Sequence, residues 1–110
     1  MSAYMSQIKD DIDTLKSIIL EKIPTEEIYL FGSYAYGTPH ENSDIDLYIV
    51  MKDNAQMREW DAIDWVNYER IYKVKKPVDV MALKQNRFLY RKNGRTLENT
   101  IVQKGIKIYG

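Results

Sequence analysis

The sequence predicts an α+β fold, because one strong helical pattern and several short strand-like runs follow one another along its 110 residues. Apolar residues three and four positions apart indicate a helix over residues 5–22. Apolar runs at residues 27–31, 44–51 and 77–83 have the length of strands, with glycine, proline and asparagine between them. The length is typical of a single domain over residues 1–110, with one hydrophobic core and no room for a second substrate-binding domain.

The first helix has one apolar face and ends at Pro24, which cannot continue it. That face consists of Ile8, Ile12, Leu15, Ile19 and Ile23. The strand over residues 27–31 stops at Gly32, and a turn-rich loop over residues 37–42 leads to the second strand.

A second helix is predicted over residues 55–72, with Asp53 or Asn54 placed to cap it. Its apolar surface is expected to comprise Trp60, Ile63, Val66, Tyr68, Ile71 and Tyr72. For Trp60 and Trp65, packing in the core is favoured over a role in binding.

The last third of the chain begins with Pro77, which introduces the third strand. Helical sequence resumes at Lys84 and is divided by Gly94, and its second piece covers residues 96–104. Residues 106–109 alternate like a short final strand.

The composition excludes several classes of function. Lysine and arginine together number 16, as do aspartate and glutamate, so the net charge is zero, which argues against general or sequence-specific nucleic-acid binding. The chain has no cysteine, which excludes disulfides and thiolate metal sites and is compatible with the cytoplasm. No signal peptide and no membrane-spanning run are recognisable, so we expect a cytoplasmic protein without a membrane partner.

Two carboxylates open the second strand, in the run Asp44-Ile45-Asp46-Leu47. Residues two apart in a strand point to the same face, so Asp44 and Asp46 project side by side. Adjacent carboxylates repel, and Mg²⁺ relieves that repulsion because it binds carboxylates, water and substrate phosphates. The pair therefore suggests a Mg²⁺ site, although such a pair on its own is more often a turn or a solvated edge.

Asp79 is a third candidate, because it lies between Val78 and Val80 in a strand predicted to be buried. An acid there needs either a cationic partner or a metal. If the second and third strands are neighbours, three carboxylates converge, which is enough to hold two Mg²⁺ ions at a phosphoryl centre.

Gly32 and Ser33 directly follow the first strand and are candidates for binding phosphate. Glycine lets the backbone approach a ligand closely, and free N–H groups of a helical turn there would bind phosphate, with the Ser33 hydroxyl as a further donor. A Gly-Ser pair is usually only a turn. The combination with Asp44, Asp46 and Asp79 is much more specific than any of its parts.

That combination resembles the nucleotidyltransferase superfamily with a DNA polymerase β-like palm. The resemblance covers nearly the whole chain, and the run GSYAYGTPHENSDIDLYIV is most similar to the minimal nucleotidyltransferase (MNT) antitoxins. It implies a small mixed sheet with flanking helices, ATP as substrate, and two Mg²⁺ ions held by Asp44, Asp46 and Asp79. It also implies nucleotide binding at Gly32 and Ser33. One position departs from the pattern, since Tyr36 stands where many relatives have arginine.

The resemblance further implies that the protein transfers AMP to a tyrosine of a partner HEPN-domain ribonuclease toxin and so neutralises it. Two alternatives remain open: a small-molecule nucleotidyltransferase of the aminoglycoside-modifying type, and an antitoxin that acts by binding alone. The basic cluster of Arg87, Arg91, Lys92 and Arg95 is more simply a solvated helix face than a phosphate contact, and His40 is more simply a solvated loop residue.

Overall fold

The structure, a computed structural model, describes residues 3–40 and 42–110. Glu41, in the predicted turn-rich loop, lies outside the described residues, as do Met1 and Ser2. The helices are α1 (Ala3–Lys22), α2 (Gly32–Tyr36), α3 (Glu59–Arg70), α4 (Gln85–Arg91) and α5 (Leu97–Lys104). The strands are β1 (Thr25–Phe31), β2 (Ile45–Met51), β3 (Val78–Lys84) and β4 (Ile106–Tyr109).

The four strands form one mixed sheet in the order β3-β2-β1-β4. Strand β1 pairs antiparallel with both β2 and β4, whereas β2 and β3 are parallel and are joined through α3. A parallel pair needs such a crossover, because the chain must return to the starting end of the sheet. The mixed sheet with flanking helices implied by the resemblance is therefore confirmed.

Alternation along the strands divides the core into two clusters on opposite faces of the sheet. On one face, α1 and α3 cover the strands, and the five apolar residues predicted for the α1 face are all buried there. On the other face, α4 and α5 cover a smaller cluster. Its buried members are Tyr29, Phe31, Tyr48, Val50, Phe88 and Ile101.

The predicted start of α3 was wrong. The helix begins at Glu59, and Arg58 precedes it in a capping box with Asp61. Asp53 does cap a helix, but its Oδ1 accepts the backbone N–H of Asn86 in α4, 2.9 Å away. A cap on a helix 33 positions further along the chain cannot be recognised from local sequence.

The predicted apolar surface of α3 was also largely wrong. Ala62 and Val66 are the buried positions that face the sheet, and Ile63 and Trp65 pack partly against them. The larger side chains of Trp60, Tyr68, Ile71 and Tyr72 are exposed. The prediction relied on the size of the apolar side chains. In the structure the face of α3 that packs on the sheet is the one that carries the small residues Ala62 and Val66.

Candidate functional site

The three carboxylates occupy the starting end of the parallel strand pair. Asp46 on β2 is in register with Asp79 on β3, and Asp44 immediately precedes β2. Residues in register on neighbouring strands project to the same face of the sheet, and so do residues two apart on one strand. The structure thus places β2 beside β3, which was the condition for the three carboxylates to converge.

The surroundings of Asp79 differ from the prediction. Strand β3 is an edge strand, and its residues alternate between buried and exposed, with Asp79 exposed. The prediction that Asp79 lies in a buried strand was wrong, because alternate residues of this edge strand face solvent. An exposed carboxylate needs no internal cation, so desolvation no longer argues for a ligand at Asp79.

Asp46 is the electrostatically perturbed member of the group. It is half-buried, whereas Asp44 is exposed. Burial first, and then the nearby charges of Asp79 and Asp44, together raise the pKa of Asp46 to about 6. Asp46 therefore lies close enough to both Asp79 and Asp44 to be repelled by their charges.

Gly32 lies directly against Asp46. Residue 31 pairs across the sheet with Asp46, and Gly32 then turns away with φ of 72°. A Cβ on Gly32 would overlap the Asp46 Oδ2 and lie 2.9 Å from its carboxyl carbon. Only glycine combines that backbone angle with that close approach.

Ser33 lies in the first turn of α2, as the phosphate-binding hypothesis required. No side chain caps the start of this five-residue helix at Phe31. Its end is closed by Gly37 with φ of 81°, and the Thr38 N–H donates to the Ser33 carbonyl oxygen over 2.9 Å. Gly32 and Ser33 thus lie beside the carboxylates, at the end of the strand adjacent to Asp46.

The side chains suit Mg²⁺ as a donor set, but they do not form a complete cage. Among residues 3–40 and 42–110, no three histidine or acidic side chains are arranged to hold a metal ion. A Mg²⁺ site of the phosphoryl-transfer kind needs only one or two carboxylates, because water and substrate phosphates supply the other oxygens. Mutual repulsion at Asp46 is the feature that a cation would relieve.

Sequence reasoning missed Ser43, which holds the loop before β2. Its buried hydroxyl accepts the His40 N–H over 2.7 Å, and its own N–H donates to the His40 carbonyl oxygen over 3.1 Å. A serine that precedes an Asp-x-Asp pair is the only local signal for this role. The His40 side chain itself is exposed.

The other candidates have surroundings or partners other than the three carboxylates. Tyr36 lines a cavity of about 480 Å³ between α1, α2 and β4, to which none of the three aspartates contributes. Two of the four residues in the basic cluster are ion-paired, Arg87 with Glu59 and Arg91 with Glu98. This pairing favours the structural interpretation of the cluster.

A mixed sheet that presents three aspartates beside a Gly-Ser turn is compatible with an enzyme that transfers phosphorus-containing groups. The sequence matches the nucleotidyltransferase domain family over residues 12–108. The chain belongs to that family.

Individual relatives agree with this membership. A Methanocaldococcus jannaschii protein, named as a candidate protein adenylyltransferase, is 40% identical over 50 residues, which cover 46% of this chain. The matched region spans 50% of that relative's length.

Solved structures show the same fold. A candidate nucleotidyltransferase from Sulfolobus solfataricus superposes with a TM-score of 0.56 at 22% identity, covering 97% of this chain and 87% of its own. The toxin–antitoxin MntA–HpeT, in a variant with two aspartates changed to glutamate, gives a TM-score of 0.61 at 24% identity, with coverages of 93% and 73%. A toxin–antitoxin solved with AMP-PNP gives 0.55 at 24% identity, with the same coverages.

The described helices include no candidate membrane span. None of them is both long enough and apolar enough to cross a bilayer.

Proposed function

We propose that the protein is a Mg²⁺-dependent adenylyltransferase that transfers AMP from ATP to a tyrosine hydroxyl of a partner HEPN-domain toxin in the cytoplasm and so acts as its antitoxin. The observation that carries the proposal is the in-register pairing of Asp46 with Asp79, beside a glycine that leaves room for the Asp46 carboxylate. This arrangement gathers negative charge where a phosphate and its cations would be bound.

The comparisons support four parts of this proposal, namely nucleotidyl transfer, a protein acceptor, a toxin partner and ATP as substrate. The HEPN identity and the tyrosine acceptor rest on the family resemblance, and Mg²⁺ rests on the resemblance and the carboxylates. Family membership supports nucleotidyl transfer, and the archaeal relative's name supports a protein as acceptor. The toxin–antitoxin structures support a toxin partner, and the AMP-PNP complex supports ATP. In the MntA–HpeT variant the two changed aspartates are two positions apart, the spacing of Asp44 and Asp46 here.

In this mechanism Asp44, Asp46 and Asp79 would hold Mg²⁺, which when bound neutralises charge on the phosphate oxygens. The backbone N–H groups of Gly32 and Ser33 and the Ser33 hydroxyl donate to the phosphates and hold the nucleotide in line. The acceptor oxygen bonds to the α-phosphorus, and the bond to the bridging oxygen breaks to release pyrophosphate. Asp79, exposed at the sheet edge, accepts the proton of the acceptor hydroxyl.

The test is to incubate the purified chain with ATP, Mg²⁺ and the purified product of the adjacent reading frame, and to measure intact masses. We expect that product to gain one AMP, and we expect the Asp44→Asn variant to prevent the gain. A partner that is inhibited without any mass change would indicate an antitoxin acting by binding alone. Efficient AMP transfer to an aminoglycoside, with the protein unmodified, would indicate the small-molecule enzyme.

A further inference from the structure

The C-terminal end of α3 carries a group of exposed apolar side chains, here called the tyrosine patch, which comprises Tyr68, Ile71 and Tyr72. Their exposed fractions are 78%, 60% and 97%. Together with Glu69 and Lys73 they line a surface groove of about 380 Å³. Single exposed apolar residues are ordinary on protein surfaces, but a contiguous group that lines a groove is typical of an interaction site.

The tyrosine patch lies at the same end of the sheet as the carboxylates. Helix α3 returns the chain from the far end of β2 to the start of β3, and Asp79 is the second residue of β3. Tyr72 and Asp79 are seven peptide steps apart along the chain, so their Cα atoms are at most about 25 Å apart. A protein bound at the patch can therefore reach the carboxylates.

The charge around the patch is strongly positive. Residues 69–76 contain one anion, Glu69, and four cations, Arg70, Lys73, Lys75 and Lys76, which gives a local net charge of +3 in a chain whose total is zero. The Lys73 Nζ lies 3.7 Å from the Glu69 Oε2, with Lys73 exposed and Glu69 partly buried. Lys75 is exposed and has no ion pair with any described carboxylate. The groove itself is lined by three apolar side chains and the Glu69–Lys73 pair. The excess positive charge lies in the neighbouring residues of the chain, Arg70, Lys75 and Lys76.

We propose that the tyrosine patch is the docking surface for the partner protein that presents the acceptor hydroxyl. The surface of the partner that contacts the patch is then acidic around an apolar centre. The inference rests on the proposed function only for the identity of the partner. Tyrosine is enriched at the centres of protein interfaces, and a charged rim selects a partner of opposite sign. Single-stranded RNA, whose bases stack on tyrosine rings, is the competing occupant, and the zero net charge of the chain disfavours it.

The experiment measures binding of the purified product of the adjacent reading frame to the full chain by calorimetry. The test variants are the double change Tyr68→Ala with Tyr72→Ala and, separately, Lys75→Glu. The matched control is Tyr90→Ala, which removes an equally exposed tyrosine, 82% exposed, from the basic cluster on α4. Thermal melting and binding of an ATP analogue verify that every variant is folded and retains its nucleotide site.

We expect the double variant to weaken binding at least about tenfold, as loss of two central tyrosines does at interfaces. Lys75→Glu should also weaken it, by a factor that shrinks as salt is raised, whereas Tyr90→Ala should change it less than about twofold. Patch-dependent binding without AMP transfer would support this docking surface while contradicting the proposed transfer reaction.

Several results would overturn the inference. They are an absence of binding by the wild-type chain, equal binding by the double variant, and a larger effect of Tyr90→Ala than of the double variant. AMP transfer that is undiminished in the double variant would leave the proposed function standing without this surface. Binding of single-stranded RNA that only the patch variants lose would assign the patch to RNA, and a dimer that they dissociate would assign it to a second copy.

Discussion

At the scale of single residues, Asp46 is where the proposed chemistry and the stability of the fold oppose each other. Its pKa is raised from 3.8 to about 6, by burial first and by the charges of Asp79 and Asp44 next. A raised carboxyl pKa means that ionised Asp46 destabilises the fold. The destabilisation is absent below pH 3.8, grows as the pH rises from 3.8 to about 6, and is complete above that range.

We therefore predict that Asp46→Asn stabilises the protein in EDTA at a pH well above 6 and that the gain vanishes as the pH falls to about 4. The gain should be roughly 1–2 kcal/mol after allowance for solvent screening of a half-exposed group. Urea unfolding across this pH range measures it, with Asp64→Asn as the control for loss of an exposed charge on α3. Equal pH dependence in the two variants would refute the electrostatic explanation, and AMP transfer by Asp46→Asn would refute its role as a ligand.

Gly32 is the second residue on which the site depends. Gly32→Ala should lower the free energy of unfolding by about 1–3 kcal/mol, because it combines a positive φ with a methyl group that displaces the Asp46 carboxylate. It should also weaken binding of an ATP analogue. Gly94→Ala is the matched control, since the nearest atom to its added Cβ is 3.7 Å away. Similar stability losses in the two variants would contradict the close packing of Gly32 on Asp46.

At the scale of elements, α4 and α5 are tied to the sheet by one buried carboxylate. Glu98 on α5 is only 3% exposed. The Tyr48 hydroxyl of β2 donates to its Oε2 over 2.7 Å, and the Arg91 Nε of α4 donates to its Oε1 over 2.9 Å. Burial alone would raise the pKa of Glu98, but these donors outweigh it and the pKa is lowered.

The element-scale prediction concerns this contact. Tyr48→Phe should cost about 1–3 kcal/mol of stability, because it leaves a buried carboxylate oxygen without its donor. Tyr29→Phe removes a 3.0 Å hydrogen bond to a half-buried carboxylate, that of Glu27, and should cost less. Chemical unfolding of both variants makes the comparison. Equal costs would show that burial of Glu98 does not determine the strength of the contact.

At the scale of the whole molecule, the balance of 16 basic and 16 acidic residues gives a net charge of zero. Non-specific nucleic-acid binding depends on a basic surface that displaces counterions. We predict that random-sequence duplex DNA binds more weakly than about 10⁻⁴ M at physiological salt. Fluorescence anisotropy across a salt series is the measurement. Micromolar binding that weakens steeply with salt would show that local patches outweigh the neutral total.

The sequence by itself determined the features that follow from local periodicity. The apolar face of α1, the order of helices and strands, and the shared direction of Asp44 and Asp46 depend on repeats of 3.6 and 2 residues. Gly32 and Ser33 were also recognisable from local sequence, because the end of a strand and the start of the following turn lie within a few residues of each other. Their roles in binding remain predictions.

Only the tertiary structure decided which distant segments meet. It paired β2 with β3 so that Asp79 stands beside Asp46, made β3 an edge strand with Asp79 exposed, and gave Asp53 a partner in α4. It also turned Ala62 and Val66 inward and left the tyrosine patch in solvent. Strand order, register and the buried side of a helix depend on contacts between residues far apart in the chain, and local spacing carries no information about them.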